Sequence, residues 1–522
     1  MTRPLNSPIA TAFWLFHLAA LGSACGSDPS SAGGSGGGGT TAGGGGGGAG
    51  TTAGSGGGGG TTAGSGGALP AGGSGGSTGG APTSGGSSGS GGISSGGASA
   101  SGGTSGGGTA GCLRPSGSCA APQIQITEVN VGMEVIAGGN EGDTLPIPLG
   151  IAAMPGGGSR VAWLSGHTRY GSSADNQVHV AELGCDDQLI GSPFSLEAYD
   201  FSDIAADAEG GVVLLTRDAE GSGEQHCGDV NNLCILPQDR PGCYDMYLVR
   251  FDNAGNEVWA TKLTSSSAQN PPYSANDGWN HFIWWYQHHG RLAHDGSNYA
   301  AYFCDAITVT NNSCGGNVDI HQGDRMQVVG PSGALLDHPD AFDGGCSHSW
   351  NTRIVWDAAT DRFVLVCATD NNNRVAAPAP YRTIFDAPDI GTLSVGGLVL
   401  ASGGGYWVSV SYQGTLHLLH FTEALPNGDI AVDHDLTAGS SDFSHLVAYG
   451  DRHMILAWES GSGMTAQVRD AATGAAVGEP FSIDVPDHRY QAFKAFPDGS
   501  VAYAAQGPNS QTVRIARVLP CE

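Results

Sequence analysis

Positive charge is scarce in this chain of 522 residues. Lysine and arginine together number 20, against 48 aspartates and glutamates, so the formal net charge at pH 7 is −28. Lysine is reduced to Lys262 and Lys494. Because nucleic acids and anionic membrane surfaces are themselves negatively charged, an acidic protein is repelled by both. The sequence therefore predicts no nucleic acid among its partners, and contact with a membrane only through a covalent lipid anchor.

Common catalytic signatures are missing as well. The sequence contains no P-loop and no H-E-x-x-H zinc motif, and it matches the G-x-S-x-G pattern of a nucleophile elbow only within its glycine-rich segment, as at 33–37. These absences exclude the commonest classes of nucleotide-binding protein, serine hydrolase and zinc peptidase.

Glycine, in contrast, is abundant, with 89 residues. Close to half of it lies in residues 31–111, which are almost only Gly, Ser, Thr and Ala and include no Asp, Glu, Lys, Arg or His. Such a segment has too few apolar side chains to form a core. Residues 26–111 are therefore predicted to be a disordered, flexible stalk.

The first 25 residues are typical of an export signal. Arg3 precedes an apolar stretch at 9–21, which is too short to span a bilayer well. The small residues that lead into Cys25 resemble the lipobox of bacterial lipoproteins, and signal, lipobox and stalk together resemble the surface lipoproteins of myxobacteria and related bacteria. The resemblance implies a diacylglyceryl group on Cys25 and a location at the outer membrane or cell surface. Secretion after ordinary signal cleavage is the alternative.

Residues 112–522 carry seven copies of one unit, in which an apolar strand, a Gly/Asp turn and a second apolar strand form a predicted hairpin. The hairpins begin at Gly150, Asp203, Gly290, Thr352, Gly397, His445 and Ala492. Third strands are predicted from Asn176, Met246, Arg325, Tyr381, Thr415, Met464 and Thr512. Fourth strands follow most units, but the chain ends before the last unit has one. We expect QIQITEVNV, from Gln123, to supply that strand and close a ring.

The pattern predicts an all-β fold, a seven-bladed β-propeller of four-stranded antiparallel blades. No long helical period competes with it. An eight-bladed ring, with a further blade within 220–287, and a pair of β-sandwich domains are the alternatives. The sequence has no WD series, no kelch glycine doublet in register and no sialidase repeat, so no named propeller family is assigned.

Twelve cysteines in an exported chain indicate disulfides rather than a zinc framework. If Cys25 is lipidated, eleven remain, and one of them has no partner within the chain. Cys227, Cys234 and Cys243 crowd one polar insertion, where a zinc site with His226 is the alternative. The local pairs that the spacing favours are Cys112 with Cys119, Cys304 with Cys314, and Cys346 with Cys367.

A propeller usually binds its ligands on the face where its inner strands begin. Near the starts of units three and four the sequence gathers histidines, tryptophans and an acid. This predicts a surface that binds an extracellular glycan or protein, with the aromatic rings as stacking platforms. The candidate binding residues are Trp285, His288, His289, His321, Asp324, His348 and Trp350.

An active site is the second interpretation of the same residues, and it would make the protein a polysaccharide lyase. His289 or His348 would remove the proton beside a uronate carboxylate, and Arg291 or Arg353 would neutralise that carboxylate. Tyr490 would then protonate the leaving oxygen.

Two further interpretations remain. His289, His321 and His348 could ligate a transition metal, or the histidines could simply satisfy loop carbonyl groups. No cofactor is predicted, with one exception. The acidic turns at 186–187 and 370–373 offer oxygen ligands for Ca²⁺, although ordinary polar turns explain them equally.

Overall fold

The computed structural model describes most of the chain after residue 111. The described residues are 112–136, 149–166, 177–218, 243–264, 280–284, 290–311, 316–343, 346, 348–369, 374–378, 381–387, 389, 393–423, 432–436, 443–460, 463–488 and 490–522. Every regular element in these ranges is a β-strand, and they contain no helix long and apolar enough to cross a membrane. The signal segment, Cys25 and the stalk lie outside the described residues.

The strands form seven antiparallel blades, and each blade begins with its innermost strand. Blade one consists of β2 Gly150–Ala153, β3 Ser159–Ser165, β4 Gln177–Leu183 and β5 Leu189–Glu197. Blade two consists of β6 Asp200–Asp207, β7 Gly210–Asp218, β8 Cys243–Asp252 and β9 Glu257–Lys262. Blade three consists of β11 Gly290–His294, β12 Tyr299–Asn311, β13 Gly316–Val329 and two short outer strands, β14 Leu335–Leu336 and β15 Phe342–Asp343. β10, Asn280–Trp284, pairs with both β8 and β12 and so joins blades two and three.

The next three blades repeat the same order of strands. Blade four consists of β16 His348–Asp357, β17 Arg362–Ala368, β18 Arg374–Pro378 and β19 Tyr381–Asp386. Blade five consists of β20 Leu393–Leu400, β21 Tyr406–Tyr412, β22 Thr415–Phe421 and β23 Val432–Leu436. Blade six consists of β24 Ser444–Tyr449, β25 His453–Ser460, β26 Gly463–Asp470 and β27 Ala476–Ile483.

Blade seven combines the two ends of the propeller. β28 Lys494–Ala495, β29 Val501–Gln506 and β30 Thr512–Val518 come from the C-terminal part, and β1 Ile124–Asn130 is the outermost strand. β1 pairs with β30 from Ile124 opposite Val518 to Asn130 opposite Thr512. The predicted closure by the strand after Gln123 is therefore confirmed, as is the seven-bladed propeller. The eight-bladed ring and the paired sandwiches are wrong.

One predicted strand belongs elsewhere in its blade. The segment from Tyr381 is the fourth strand of blade four, not the third, because Arg374–Pro378 pairs with β17 as the third. The sequence of this third strand, RVAAP, lacks the alternating large apolar residues that marked its counterparts. Its burial comes from neighbouring strands rather than from its own pattern.

The disulfides correct one predicted pair and confirm another. Cys112 bonds to Cys185 and Cys119 bonds to Cys521, so the predicted Cys112–Cys119 pair is wrong. The reason is that the segment after Cys112 runs from blade one to the chain's end: its Gly117 forms a parallel bridge with Cys521. The Cys346–Cys367 pair is confirmed.

Other cysteine predictions are untested. Cys304 is buried, but Cys314 lies outside the described residues, and so do Cys227, Cys234 and the candidate zinc ligand His226.

Polar side chains tie adjacent blades together at the ends of the inner strands. The Tyr299 hydroxyl of blade three donates to Asp207 of blade two at 2.5 Å, and the Tyr406 hydroxyl of blade five donates to Asp357 of blade four at 2.8 Å. Burial and the accepting carboxylate raise the pKa of both phenols, so both tyrosines stay protonated donors. Trp407 adds a bond from its indole N–H to the Ala471 carbonyl of blade six at 2.9 Å.

A buried ion pair fixes the seam between blades seven and one. Arg517 of β30 donates Nε to one oxygen of Asp187 at 2.8 Å and Nη2 to the other at 2.6 Å, and both side chains are fully buried. Arg517 also bonds Ser500 Oγ at 2.9 Å and stacks on the Phe496 ring at 4.1 Å. Asp187 therefore has a structural role in place of the calcium ligation considered from the sequence. The second candidate calcium turn, 370–373, lies outside the described residues.

The closure disulfide predicts a large stability difference between two double variants. Cys119–Cys521 links residues 402 apart, whereas Cys346–Cys367 links residues 21 apart. Since a longer loop loses more entropy on cross-linking, Cys119→Ser with Cys521→Ser should cost about 2–5 kcal/mol, and about 2–3 kcal/mol more than Cys346→Ser with Cys367→Ser. Denaturant unfolding of the two variants and the parent checks this. Equal losses would contradict the role of the long link in holding the ring closed.

Candidate functional site

Four of the seven inner strands place an ionisable side chain at an equivalent position, four residues before the residue that opens the turn to the second strand. Blade seven places Lys494 two residues before its turn, which opens at Phe496. In four of these blades an aspartate follows at the fourth position, as in Asp203 and Asp207 or Arg291 and Asp295. Because inner strands surround the central channel of a propeller, side chains at one level on different blades can meet there. We call this set the channel ring; its members are Asp203, Arg291, Arg353, His445 and Lys494.

Asp203 and Lys494 form an ion pair across the ring. Lys494 Nζ of blade seven lies 3.1 Å from one oxygen of Asp203 in blade two. The backbone N–H of Leu292, in blade three, donates to the other oxygen at 3.0 Å. Three blades therefore converge on one carboxylate, whose negative charge is matched by the lysine.

Arg291 of blade three is held by backbone groups alone. Its guanidinium donates to its neighbour Gly290 O at 2.7 Å and to Tyr490 O at 2.9 Å, while the side chain is 4% exposed. Within the described part of the chain, its Nε has no hydrogen-bond partner. Burial lowers the pKa of Arg291, and the negative charge of Asp203 opposes that shift.

Arg353 of blade four lies close to Arg291. Its Nε donates to Gly396 O of blade five at 3.0 Å and Nη1 donates to Thr352 O at 2.6 Å. Burial lowers the pKa of Arg353 well below its usual range, and the positive charge of Arg291 lowers it further. Two guanidiniums thus share one buried region in a protein of net charge −28.

β-Bulges accompany the ring in three blades. The register shifts between Phe201 and Asp203 in β6, between His348 and Thr352 in β16, and around Gly396 in β20. A bulge turns a side chain or carbonyl away from the regular alternation of a strand, and bulges are frequent beside functional sites. These three bulges lie directly before Asp203, directly before Thr352 and Arg353, and at Gly396, whose carbonyl accepts a hydrogen bond from Arg353.

His445 of blade six forms a buried dyad with Asp487. Its Nε2 lies 2.6 Å from Asp487 Oδ1, and its side chain is 1% exposed. No described residue bonds to Nδ1 of His445. Burial acts to raise the pKa of Asp487, but the adjacent His445 and the backbone N–H of His488 lower it overall. The Tyr503 ring lies beside the imidazole, with centroids 5.4 Å apart.

The predicted site residues fall into three groups. Arg291 and Arg353 are brought together, with the Tyr490 backbone bonded to Arg291, although they lie buried on or beside the inner strands rather than on an open rim. Asp324 is fully buried and accepts a hydrogen bond from the Tyr302 hydroxyl at 2.6 Å. The remaining candidates are placed by backbone only or fall outside the described residues: His321 lies on β13, His348 and Trp350 lie on β16, and Trp285, His288 and His289 are not described.

Asp203 and Lys494 were not among the site residues predicted from the sequence. The recurring four-residue spacing to an aspartate is the signal that could have found both, although the turn of blade seven opens two residues before its aspartate, Asp498.

A second group of side chains could hold a metal ion, away from the ring. Ligand atoms of Cys119, His453 and Cys521 all lie within 4.8 Å of one another. The two thiols are joined as a disulfide, however, and Cys119 Sγ lies 3.6 Å from His453 Nδ1. Since metals bind thiolates, this group could act as a metal site only after reduction.

No family model matches the chain, and no curated protein matches it in sequence. Solved structures with a similar fold include a catalytically inactive virginiamycin B lyase of Staphylococcus aureus with quinupristin, 9% identical, with a TM-score of 0.36 over 76% of this chain and 100% of that one. An α-L-arabinanase of Penicillium chrysogenum with arabinobiose is 10% identical, with a TM-score of 0.37 over 71% and 92%. The WD40 domain of Toxoplasma gondii coronin is 8% identical, with a TM-score of 0.39 over 76% and 87%. The chain is a seven-bladed β-propeller, and the functions of these proteins are not carried over to it.

Proposed function

We propose that the protein is a cell-surface binding module that recognises an extracellular glycan through its channel ring. The observation that carries this proposal is the convergence of charged side chains from four blades: Asp203 pairs with Lys494 and accepts from Leu292 N–H, and Arg353 lies beside Arg291. Ligand sites in folded proteins are concave and carry a few polar groups that converge on the ligand. Packing between blades does not require buried polar side chains at this position, yet blade after blade places one there.

A glycan suits this site better than a polypeptide because the ring mixes donors and acceptors. Arginine and lysine donate hydrogen bonds, while the carboxylate of Asp203 and the Nδ1 atom of His445 can accept them. Sugar hydroxyls do both at once, so successive hydroxyls can use both kinds of partner. Recognition of an extracellular protein is the other outcome that the binding test below can return.

Display at the cell surface through a lipid on Cys25 is part of the proposal. The support is the apolar signal, the small residues before Cys25 and the uncharged stalk at 26–111. A binding module gains reach from a tether, whereas an enzyme acting on a diffusible substrate does not need one. In a bacterial host, the full chain should partition into detergent and incorporate labelled fatty acid, and Cys25→Ser should lose both. Secretion of the parent chain without label would contradict the anchor.

The binding proposal is tested by applying the full chain to an array of extracellular polysaccharides. We expect binding to a restricted set of glycans, and we expect Arg353→Met to weaken it, since Arg353 is a ring member. Arg514→Gln is the matched control, because Arg514 pairs with Glu128 on the outer strand of blade seven, away from the channel. A chain that binds no glycan, or a control variant that loses binding equally, would contradict the proposal.

Cleavage of a polyuronate is a second candidate, and the His445–Asp487 dyad favours it. If Asp487 holds the Nε2 proton of His445, Nδ1 keeps a lone pair and can act as a general base. It would take the C5 proton of a uronate residue; the C4–O4 bond would break, a C4=C5 double bond would form, and the leaving oxygen would be protonated. Tyr503 is the phenol beside this imidazole; burial raises its pKa well above the usual range, so it is protonated, and this mechanism requires substrate binding to lower that pKa before Tyr503 can protonate the leaving oxygen.

Turnover distinguishes the two candidates. A lyase would release unsaturated oligosaccharides from polygalacturonate or alginate, detected by their ultraviolet absorbance, and His445→Gln should abolish the release. Under the binding proposal, the parent chain retains these polymers without producing unsaturated ends. His417→Gln is a control, since His417 lies on the third strand of blade five.

A further inference from the structure

The charges in the channel ring do not balance internally. Asp203 is paired with Lys494 at 3.1 Å, and Asp487 is paired with His445 at 2.6 Å. Arg291, in contrast, donates only to the carbonyl oxygens of Gly290 and Tyr490. In the described part of the chain, Arg291 therefore has no carboxylate within hydrogen-bond distance.

Two buried arginines of this fold lie beside an anion, whereas Arg382 and Arg469, like Arg291, donate only to backbone carbonyls among the described residues. Arg517 receives both oxygens of Asp187, and the fully buried Arg160 lies 3.4 Å from Glu182. Removing a charge from water costs several kcal/mol unless a partner of opposite charge and further hydrogen bonds compensate. Arg291 has two neutral acceptors and an unused Nε, so its environment is incomplete in the way that a binding site without its ligand is incomplete.

Arg353 adds a second guanidinium to the same place. Its positive charge and that of Arg291 act on each other, and its strand is bulged immediately before it. Guanidinium groups present parallel N–H donors that match the two oxygens of a carboxylate. A planar anion placed between two such groups relieves their repulsion and provides the missing acceptor for Arg291 Nε.

We propose that the channel ring binds a carboxylate of the ligand at Arg291 and Arg353, so that the glycan recognised is one that contains uronic acid. This rests on the proposed function and narrows it to a class of polymer. The Asp203–Lys494 pair lies on the same ring and offers acceptors and donors to the neighbouring hydroxyls. Attraction by the protein's overall charge does not explain such binding, because the net charge of −28 repels polyanions.

The experiment compares matched polymers on the full chain by calorimetry. Polygalacturonate, alginate and hyaluronan are each paired with a carboxyl-reduced form, in which the uronate has become a neutral sugar. We expect at least one native polymer to bind and its reduced form to bind roughly 30-fold or more weakly, as the loss of a buried charged partner implies. Dextran sulfate and polyglutamate are the remaining arms.

Variants locate the site. Arg291→Met should reduce affinity for the native polymer by about the same factor and should leave affinity for the reduced polymer unchanged. Arg514→Gln, on the outer strand, should change neither. A stability measurement without ligand provides a second readout: because Arg291 has no paired anion, Arg291→Met should lower the unfolding midpoint much less than Arg517→Met, which removes the bidentate partner of the buried Asp187 and leaves it only Arg114 at 3.8 Å.

Each outcome decides the matter. Equal binding of native and reduced polymers, or binding confined to neutral glycans on the array, overturns the carboxylate site and leaves the proposed function standing. Preference for dextran sulfate or polyglutamate overturns the uronate assignment. A chain that binds no glycan at all removes the proposed function together with this inference. If Arg291→Met fails to fold, Arg291 is required for stability and is not an unpaired charge available to the ligand. The comparison of native and reduced polymers on the parent chain still decides the ligand class.

Discussion

Closure of the ring by strands from both ends of the propeller is the constraint on which the site depends. β1 pairs with β30 over seven residues, and Cys119–Cys521 and the Arg517–Asp187 pair fix the same seam. Asp203 of blade two reaches Lys494 of blade seven, so their ion pair exists only while the seam next to blade one is closed. The interactions that close blade seven therefore stabilise the fold and also hold the channel residues in place.

Buried arginines of this fold differ in the partners that surround them. Arg517 has a bidentate carboxylate, a hydroxyl and an aromatic ring, and removing any of these costs stability alone. Arg291 has backbone carbonyls only. Arg469, on the third strand of blade six, also donates only to a backbone carbonyl, so what distinguishes Arg291 is the second guanidinium, Arg353, beside it. Substitution of Arg517 consequently measures the loss of a buried ion pair, whereas substitution of Arg291 measures the loss of hydrogen bonds to backbone carbonyls only.

The sequence predicted the repeat and its closure because both are periodic or local. Seven hairpins of one pattern recur along the chain, and one strand before the first unit lacked a blade. Prediction failed where position depends on distant chain: RVAAP becomes a third strand through its neighbours, and Cys119 pairs with Cys521 because closure brings the ends together. The arginines were found from local residue types, but the pairing of Asp203 with Lys494 spans almost 300 residues and is visible only when blades are aligned at their turns.

Under the proposed binding of a uronate polymer, the scarcity of positive charge outside the channel would limit which polyanions bind. The chain has two lysines and 48 acidic residues, yet one of those lysines and two buried arginines lie in the ring. The net negative charge of the protein repels every polyanion at long range. The two buried guanidiniums, in contrast, would bind only a carboxylate that comes within hydrogen-bond distance of them. Added salt should weaken the long-range repulsion more than the buried contacts, since screening acts mainly on exposed charges. Binding of a uronate polymer should therefore hold or strengthen with ionic strength, the opposite of what an exposed basic surface would give.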